Sequence, residues 1–228
     1  MSKLKKAIDE VVRYTFNPVV PEVIDYEETD FGGTGELPKF DNKSVHDSVK
    51  TAASYTNAWI KSIESKANPY WLTLFGVPGC GKTLLAKCAR QQLREKGHTV
   101  QLWNWPKVWS MCLEGEWEIL EHLISLPILI LDDVGAEFTG TNKLSELNTA
   151  RLYEIAEGRL EKWTFITSNL DLHQMDKSLG SRFVSRLFRG GSRLVDLTQA
   201  ADYSYMQWQR TRNLPTTHNN ENTSAQQS

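Results

Sequence analysis

Residues 71–83 read WLTLFGVPGCGKT, and the rest of the chain is best placed outward from them. Trp71 to Gly76 is an apolar run of strand length, and Lys82 to Glu95 carries a helical apolar period that Gly97 stops. Between them Gly76-Val77-Pro78-Gly79-Cys80-Gly81-Lys82-Thr83 satisfies G-x-x-x-x-G-K-[ST] without a departure. Glycines let backbone N–H groups turn inward around a phosphate, and a helix that starts there adds the positive end of its dipole. In this pattern the lysine reaches the β- and γ-phosphates of a nucleotide, and the Thr83 hydroxyl is a ligand for Mg²⁺. The candidate nucleotide-contacting residues are therefore Gly76, Pro78, Gly79, Cys80, Gly81, Lys82, Thr83 and the adjoining Leu84.

A second element lies downstream, in Ile128-Leu129-Ile130-Leu131-Asp132-Asp133. A continuous apolar strand is the kind buried on both faces, and two carboxylates at its end stand at the edge of a sheet where ligands of α/β folds bind. Asp132 is placed in the Mg²⁺ shell and Asp133 as the group that polarises an attacking water. Glu137 is the second candidate for that base, and a helix N-cap is the plain alternative for the pair. Thr167-Ser168-Asn169 ends a further strand, where the Asn169 amide can orient water or read a γ-phosphate; a polar turn before Asp171 is its alternative. Arg182, Arg186 and Arg189 recur at i, i+4 and i+7, which predicts one helical face, with Arg193 close behind. Such a run is either a solvated face or the arginine that a phosphate site requires.

The spacing predicts a helix from Ser44 to the Asn68-Pro69 pair, strands at 98–103, 128–131, 163–168 and 193–197, and helices at 108–124 and 147–160. Five strands separated by helices imply an α/β fold with a five-stranded parallel sheet. Residues 1–44 read as an extension: seven acids and one base, Lys39, lie between Pro21 and Asp41, around Gly32-Gly33-Thr34-Gly35. Leu4, Ile8, Val11 and Val12 can share one face of a short helix there. Residues 45–212 form the expected domain, and 213–228 a polar tail that is expected to be disordered.

The 228 residues carry 26 Lys+Arg against 28 Asp+Glu, a net charge of −2, with 40% hydrophobic residues; this excludes a fibrous or wholly disordered chain. It leaves nucleic acid open, because a basic face can sit on a neutral protein. The sequence has no apolar run of membrane-spanning length and no signal-type start, and its three cysteines show no paired spacing, so reduced thiols and a cytoplasmic location are expected. Trp103, Trp105, Trp109 and Trp117 cluster after the second strand, with Lys107 among them. They read either as a stacking platform for bases or, for Trp103, Trp109 and Trp117, as core; Glu114, Glu116 and Glu118 favour the core.

Taken together, SVHDSVKTAASYTNAWI, GVPGCGKT, ILILDDVGAE, FITSNLDL and LGSRFVSRL resemble the AAA+ ATPases, and within them the DnaC/DnaI-type helicase loaders and their IstB relatives. The resemblance spans roughly Asp41 to Leu197. It implies a P-loop NTPase three-layer sandwich, ATP and Mg²⁺ as cofactors, Lys82 and Thr83 as Walker A, Asp132 and Asp133 as Walker B, and Asn169 as sensor 1. Arg186 falls on the family's arginine finger, with Arg182 as its companion. Where the family often has Ser-Tyr-Arg near the end of the core, Asp202-Tyr203-Ser204-Tyr205-Met206 stands without the arginine, so a sensor 2 contact is not expected; the expected fold has a reduced or absent lid domain. By the same resemblance the chain is a slow ATPase, stimulated by DNA or by assembly into a ring or spiral oligomer. It would bind single-stranded DNA and load or remodel a hexameric, DnaB-like replicative helicase, and its size would suit a phage-encoded version. Two other functions fit the same motifs: a transposition helper of IstB type on duplex DNA, and a nucleotide-switched interaction module with little turnover.

Overall fold

The computed structural model describes residues 43–68, 70–136, 143–189 and 191–202. The acidic extension and its short apolar face, Glu137, Tyr203 and the polar tail fall outside the described residues. The chain runs α1 (Lys43–Ser65), β1 (Trp71–Gly76), α2 (Lys82–Glu95), β2 (Val100–Asn104), α3 (Trp105–Leu113), α4 (Glu118–Ser125), β3 (Ile128–Asp132), α5 (Lys143–Gly158), β4 (Trp163–Ser168), α6 (Leu172–Leu179), α7 (Ser181–Leu187) and β5 (Arg193–Leu197). The five strands make one parallel sheet in the order β2-β3-β4-β1-β5. The expected α/β class and parallel sheet are both present.

Strand residues alternate between two cores because successive side chains point to opposite faces. Leu72, Leu74, Ile128, Ile130 and Phe165 pack with Val49, Ala52, Trp59 and Ile63 of α1 and Leu85, Ala89 and Leu93 of α2. Phe75, Leu129, Leu131 and Ile166 pack on the other side with Val108 of α3, Leu123 of α4, Leu152 of α5, Met175 of α6 and Phe183 of α7. Helices thus cover both faces, giving the three layers. All residues of β1 and β3 are buried, which is why these strands are apolar without alternation.

The helix expected over 108–124 is two helices. Asn104 caps α3 by accepting from the Lys107 N–H, Pro106 sits in its first turn, and Gly115 at φ 89° breaks the run before α4. The Arg182, Arg186 and Arg189 face needs a similar correction. Helix α7 ends at Leu187, so only Arg182 and Arg186 share it, while Arg189 falls in the following turn and Arg193 opens β5. The three cysteines are buried and unpaired. Among the described residues no helix is long and apolar enough to cross a membrane.

Arg159, with no exposed surface, ties the amino end of β4 to the end of α4. Its guanidinium donates to the Leu123 and Leu126 carbonyls at 2.7 and 2.8 Å, to the Trp163 carbonyl at 2.8 Å and to Thr164 Oγ1 at 2.9 Å. Burial brings its pKa down to about 9. The last turn of α5 is fixed by this contact.

Candidate functional site

The glycine-rich loop leaves β1 at the carboxyl edge of the sheet and enters α2. Gly76, Gly79 and Gly81 have φ of 138°, 74° and 97°, backbone that side chains seldom adopt. Gly76 also has no room for a side chain: a Cβ there would lie 2.3 Å from the Leu197 carbonyl carbon at the end of β5. Helix α2 starts on Gly81 with no side-chain cap, which leaves its first N–H groups for an anion. Val77 and Leu84 anchor the loop by packing on the α1/α2 core, and Pro78 and Gly79 are exposed at its tip.

Lys82 is 5% exposed, and its ammonium donates to the Gly76 and Val77 carbonyls at 2.9 and 2.6 Å, with Cys80 Sγ at 3.6 Å. Burial lowers the lysine pKa and raises that of the Cys80 thiol. Thr83 Oγ1 donates to Asp132 Oδ1 at 3.0 Å, across 49 residues of sequence. The P-loop, Thr83 and the strand-end acids are therefore one site, as their order in the sequence predicts.

Thr167 organises the acids. Its hydroxyl donates to Asp132 Oδ1 at 2.6 Å and accepts the Asp133 backbone N–H at 2.9 Å. Asp133 takes a left-handed backbone at φ 65°, a conformation that aspartate tolerates better than most residues. Its carboxylate accepts from Asn169 Nδ2 at 2.7 Å. Burial, and then the negative Asp132 beside it, push the Asp133 pKa up, against a smaller opposing pull from Lys82. Ser168 Oγ donates to the Val134 carbonyl at 2.6 Å and so fixes the chain after the acid pair. The positioning role of Thr167 escaped the sequence reading; its place at the end of the strand next to β3 was the available signal.

Arg186 and Arg182 do not join this cluster. Arg186 lines a cavity of about 320 Å³ with Asn68, Tyr70, Trp71 and Arg189. Trp71 opens β1 and Gly76 closes it, so the arginine and the P-loop are separated by the length of a six-residue strand, about 16 Å. Nε and Nη2 of Arg186 donate to Glu157 Oε1, and Nη2 donates to Tyr153 Oη at 2.7 Å. Arg182 is exposed in the first turn of α7.

One further residue enters the loop unforeseen. A Cβ on Gly79 would lie 2.0 Å from Asp202 Oδ1, so the chain after β5 returns a carboxylate to the P-loop. Of the four clustered tryptophans, Trp103, Trp105 and Trp109 are core at 1%, 0% and 8% exposure. Trp117 departs from the core reading: it is 37% exposed, and the Arg151 guanidinium lies 4.9 Å from its ring centroid.

Residues 72–190, more than half of the chain, match the family model described as "ATPase family associated with various cellular activities (AAA)". The chain belongs to the AAA family. Among solved structures it is similar to DnaI, with a TM-score of 0.54 and 21% identity over 71% of this chain and 85% of that one. A DNA replication initiation factor gives 0.55 and 20% identity over 76% of this chain and 53% of that one. Replication initiator DnaA, bound to AMPPCP and single-stranded DNA, gives 0.52 and 23% identity over 64% of this chain and 45% of that one. The chain spans about half the length of the last two. No curated protein matches the sequence. The AAA family is one of nucleotide-dependent ATPases, in which the geometry above has a ready use.

Proposed function

We propose that this AAA protein is an ATPase of the helicase-loader type, which hydrolyses ATP between neighbouring copies and acts on single-stranded DNA and a replicative helicase. The observation that carries the reading is the separation of Arg186 from Lys82, Thr83, Asp132 and Asp133 by the length of β1. An arginine that far from its own P-loop can meet a γ-phosphate only in another copy. Supplied in this way, an arginine raises phosphoryl transfer by ~10³–10⁵.

Within one copy, the inward N–H groups of Gly79 to Lys82 bind the phosphates and Lys82 neutralises them. The Thr83 hydroxyl and the Asp132 carboxylate are hard oxygen donors, already 3.0 Å apart, and suit Mg²⁺. When bound, that ion supplies charge neutralisation on the phosphate oxygens. Asp133, held by Asn169, takes the proton of the attacking water, and its raised pKa makes it a better base than an ordinary aspartate. Arg182 serves as the companion of Arg186. The 1–44 extension is the segment left to grip a partner, 45–212 the ATPase domain and 213–228 a tail. DNA binding and a replication role draw support from the motif set and from the neighbours whose structures are a replication initiator with single-stranded DNA and a replication initiation factor.

Mixing two inactive variants tests the reading. Lys82→Ala lacks the P-loop lysine but keeps Arg186, and Arg186→Ala is its complement. The mixture is expected to recover turnover that neither has alone, and more of it with single-stranded DNA. No recovery at any ratio overturns hydrolysis between copies. Recovery from cell extract with ATP–Mg²⁺ then reads the partner: a hexameric helicase supports the loader, whereas a transposase moves the assignment to a transposition helper. No partner and no turnover leaves a nucleotide-switched interaction module.

A further inference from the structure

The surroundings of Arg186 are built, which is unusual for an arginine waiting for a phosphate on another molecule. Tyr153 and Glu157 lie one turn apart on α5 and both face it. Two nitrogens of the guanidinium donate to Glu157 Oε1, one also donates to Tyr153 Oη, and the tyrosine hydroxyl in turn donates to the same carboxylate oxygen at 2.7 Å. The guanidinium carbon lies 5.1 Å from the centre of the Tyr153 ring. The Arg186 side chain is only 11% exposed, whereas Glu157 remains 36% exposed.

We propose that Glu157, seconded by Tyr153, is a latch on Arg186 that withholds the arginine within its own copy until a neighbour's triphosphate competes for it. This rests on the reading of Arg186 as the arginine supplied between copies. Two opposing facts make the pair a latch and not a permanent brace. The ring of hydrogen bonds engages Nε and Nη2 of the guanidinium, which holds the arginine in an isolated copy. The Glu157 side chain, however, is over a third exposed, and water there screens the pair and keeps it exchangeable. A triphosphate offers more negative charge than one carboxylate and accepts the same two-pronged donor. The exchange is therefore favourable only where a nucleotide-loaded neighbour is docked, and the latch raises the concentration of copies at which turnover sets in. Glu157 acts through Arg186 and is a positioning residue; it has no role on the nucleotide or on the attacking water.

Turnover of the full-length chain as a function of its own concentration tests the latch. Glu157→Gln keeps a hydrogen-bond acceptor for the tyrosine but removes the charge. It should lower the concentration at half-maximal turnover by about two- to tenfold, the range for a partly exposed charge-assisted pair, with KM for ATP unchanged. Tyr153→Phe should shift the midpoint the same way by less, which keeps the test open if the first variant folds poorly. The double variant Glu157→Gln/Arg186→Ala should be as inactive as Arg186→Ala. A midpoint that stays in place, or turnover that falls in step with a lowered Tm, makes Glu157 a structural brace and overturns the latch while leaving Arg186 in its role. Full turnover by Arg186→Ala would remove the role of Arg186 and the latch with it.

Discussion

The Thr167 hydroxyl joins the two acids, and replacing it with a methyl isolates that contribution. Thr167→Val keeps the shape of the side chain, which is 1% exposed in β4. It removes one hydrogen bond to a carboxylate, at 2.6 Å, and one from a backbone N–H, at 2.9 Å. A bond to a charged group contributes about 1.5–3 kcal/mol and a neutral one about 0.5–1.5 kcal/mol. The added methyl returns about 1 kcal/mol of apolar burial. The net loss should be about 1–3 kcal/mol, which in a protein of this length lowers Tm by roughly 2–12 °C. The Asp133 backbone, held at positive φ with its N–H now unsatisfied, should lose its fixed position. ATP binding, if it rests on the loop and Lys82 as proposed, should survive, while turnover falls by about 10- to 100-fold as the proposed base and Mg²⁺ ligand, Asp133 and Asp132, lose register. Thermal melting, nucleotide titration and steady-state hydrolysis on the same preparation check all three, and Thr167→Ser should restore them. A Val variant with unchanged Tm and normal hydrolysis would refute the hydroxyl as the organiser of the site.

Lys82→Ala should abolish nucleotide binding in a fluorescence titration, whereas Arg186→Ala should bind normally and lose only the turnover that rises with protein concentration. Asp133→Asn should separate stability from activity. Because the folded protein raises the Asp133 pKa, the ionised form is disfavoured at neutral pH and the penalty disappears as pH falls through the folded value. The Asn variant should therefore melt higher than the wild type at pH 7, converge with it in acid, and hydrolyse about 10²–10⁴-fold more slowly; a lower Tm at pH 7 contradicts the assignment. Trp103→Ala should cost about 3–5 kcal/mol in urea denaturation as a core cavity, and Trp117→Ala about 1 kcal/mol or less from the lost Arg151 contact. Equal effects would mean that the exposure of Trp117 is misplaced.

The strands at 71–76 and 163–168 are legible to the residue because buried strands are largely apolar runs bounded by glycines, charges or polar turns, whereas 193–197 is legible as an edge strand in which buried Val195 and Leu197 alternate with exposed Arg193 and Asp196. The link from Thr83 to Asp132 was legible as order along the chain, since a P-loop and a strand-end acid meet only if their strands share one sheet edge. The break at Gly115 is hidden in the sequence because apolar residues recur at helical spacing on both sides of it. Thr167 stands in the sequence as the opening of a polar triplet: a threonine in a strand is ordinary, and nothing local reveals which backbone its hydroxyl will meet. The spacing of Arg189 predicts a helical position, but α7 ends two residues earlier, at Leu187. The return of Asp202 to Gly79 and the closure of Tyr153 and Glu157 on Arg186 join segments far apart in sequence, and composition carries no trace of either.

The length of β1 has a further consequence in arithmetic. A molecule with its P-loop at one end of a strand and its arginine at the other has unlike ends, so copies that serve one another must join head to tail. An open string of such copies always holds one complete site fewer than it has members, with an idle nucleotide at one terminus and an unused arginine at the other. Closing the string into a ring completes the last site. Hydrolysis per chain would then rise with string length and level off on closure, so the rate itself would report how many ends remain.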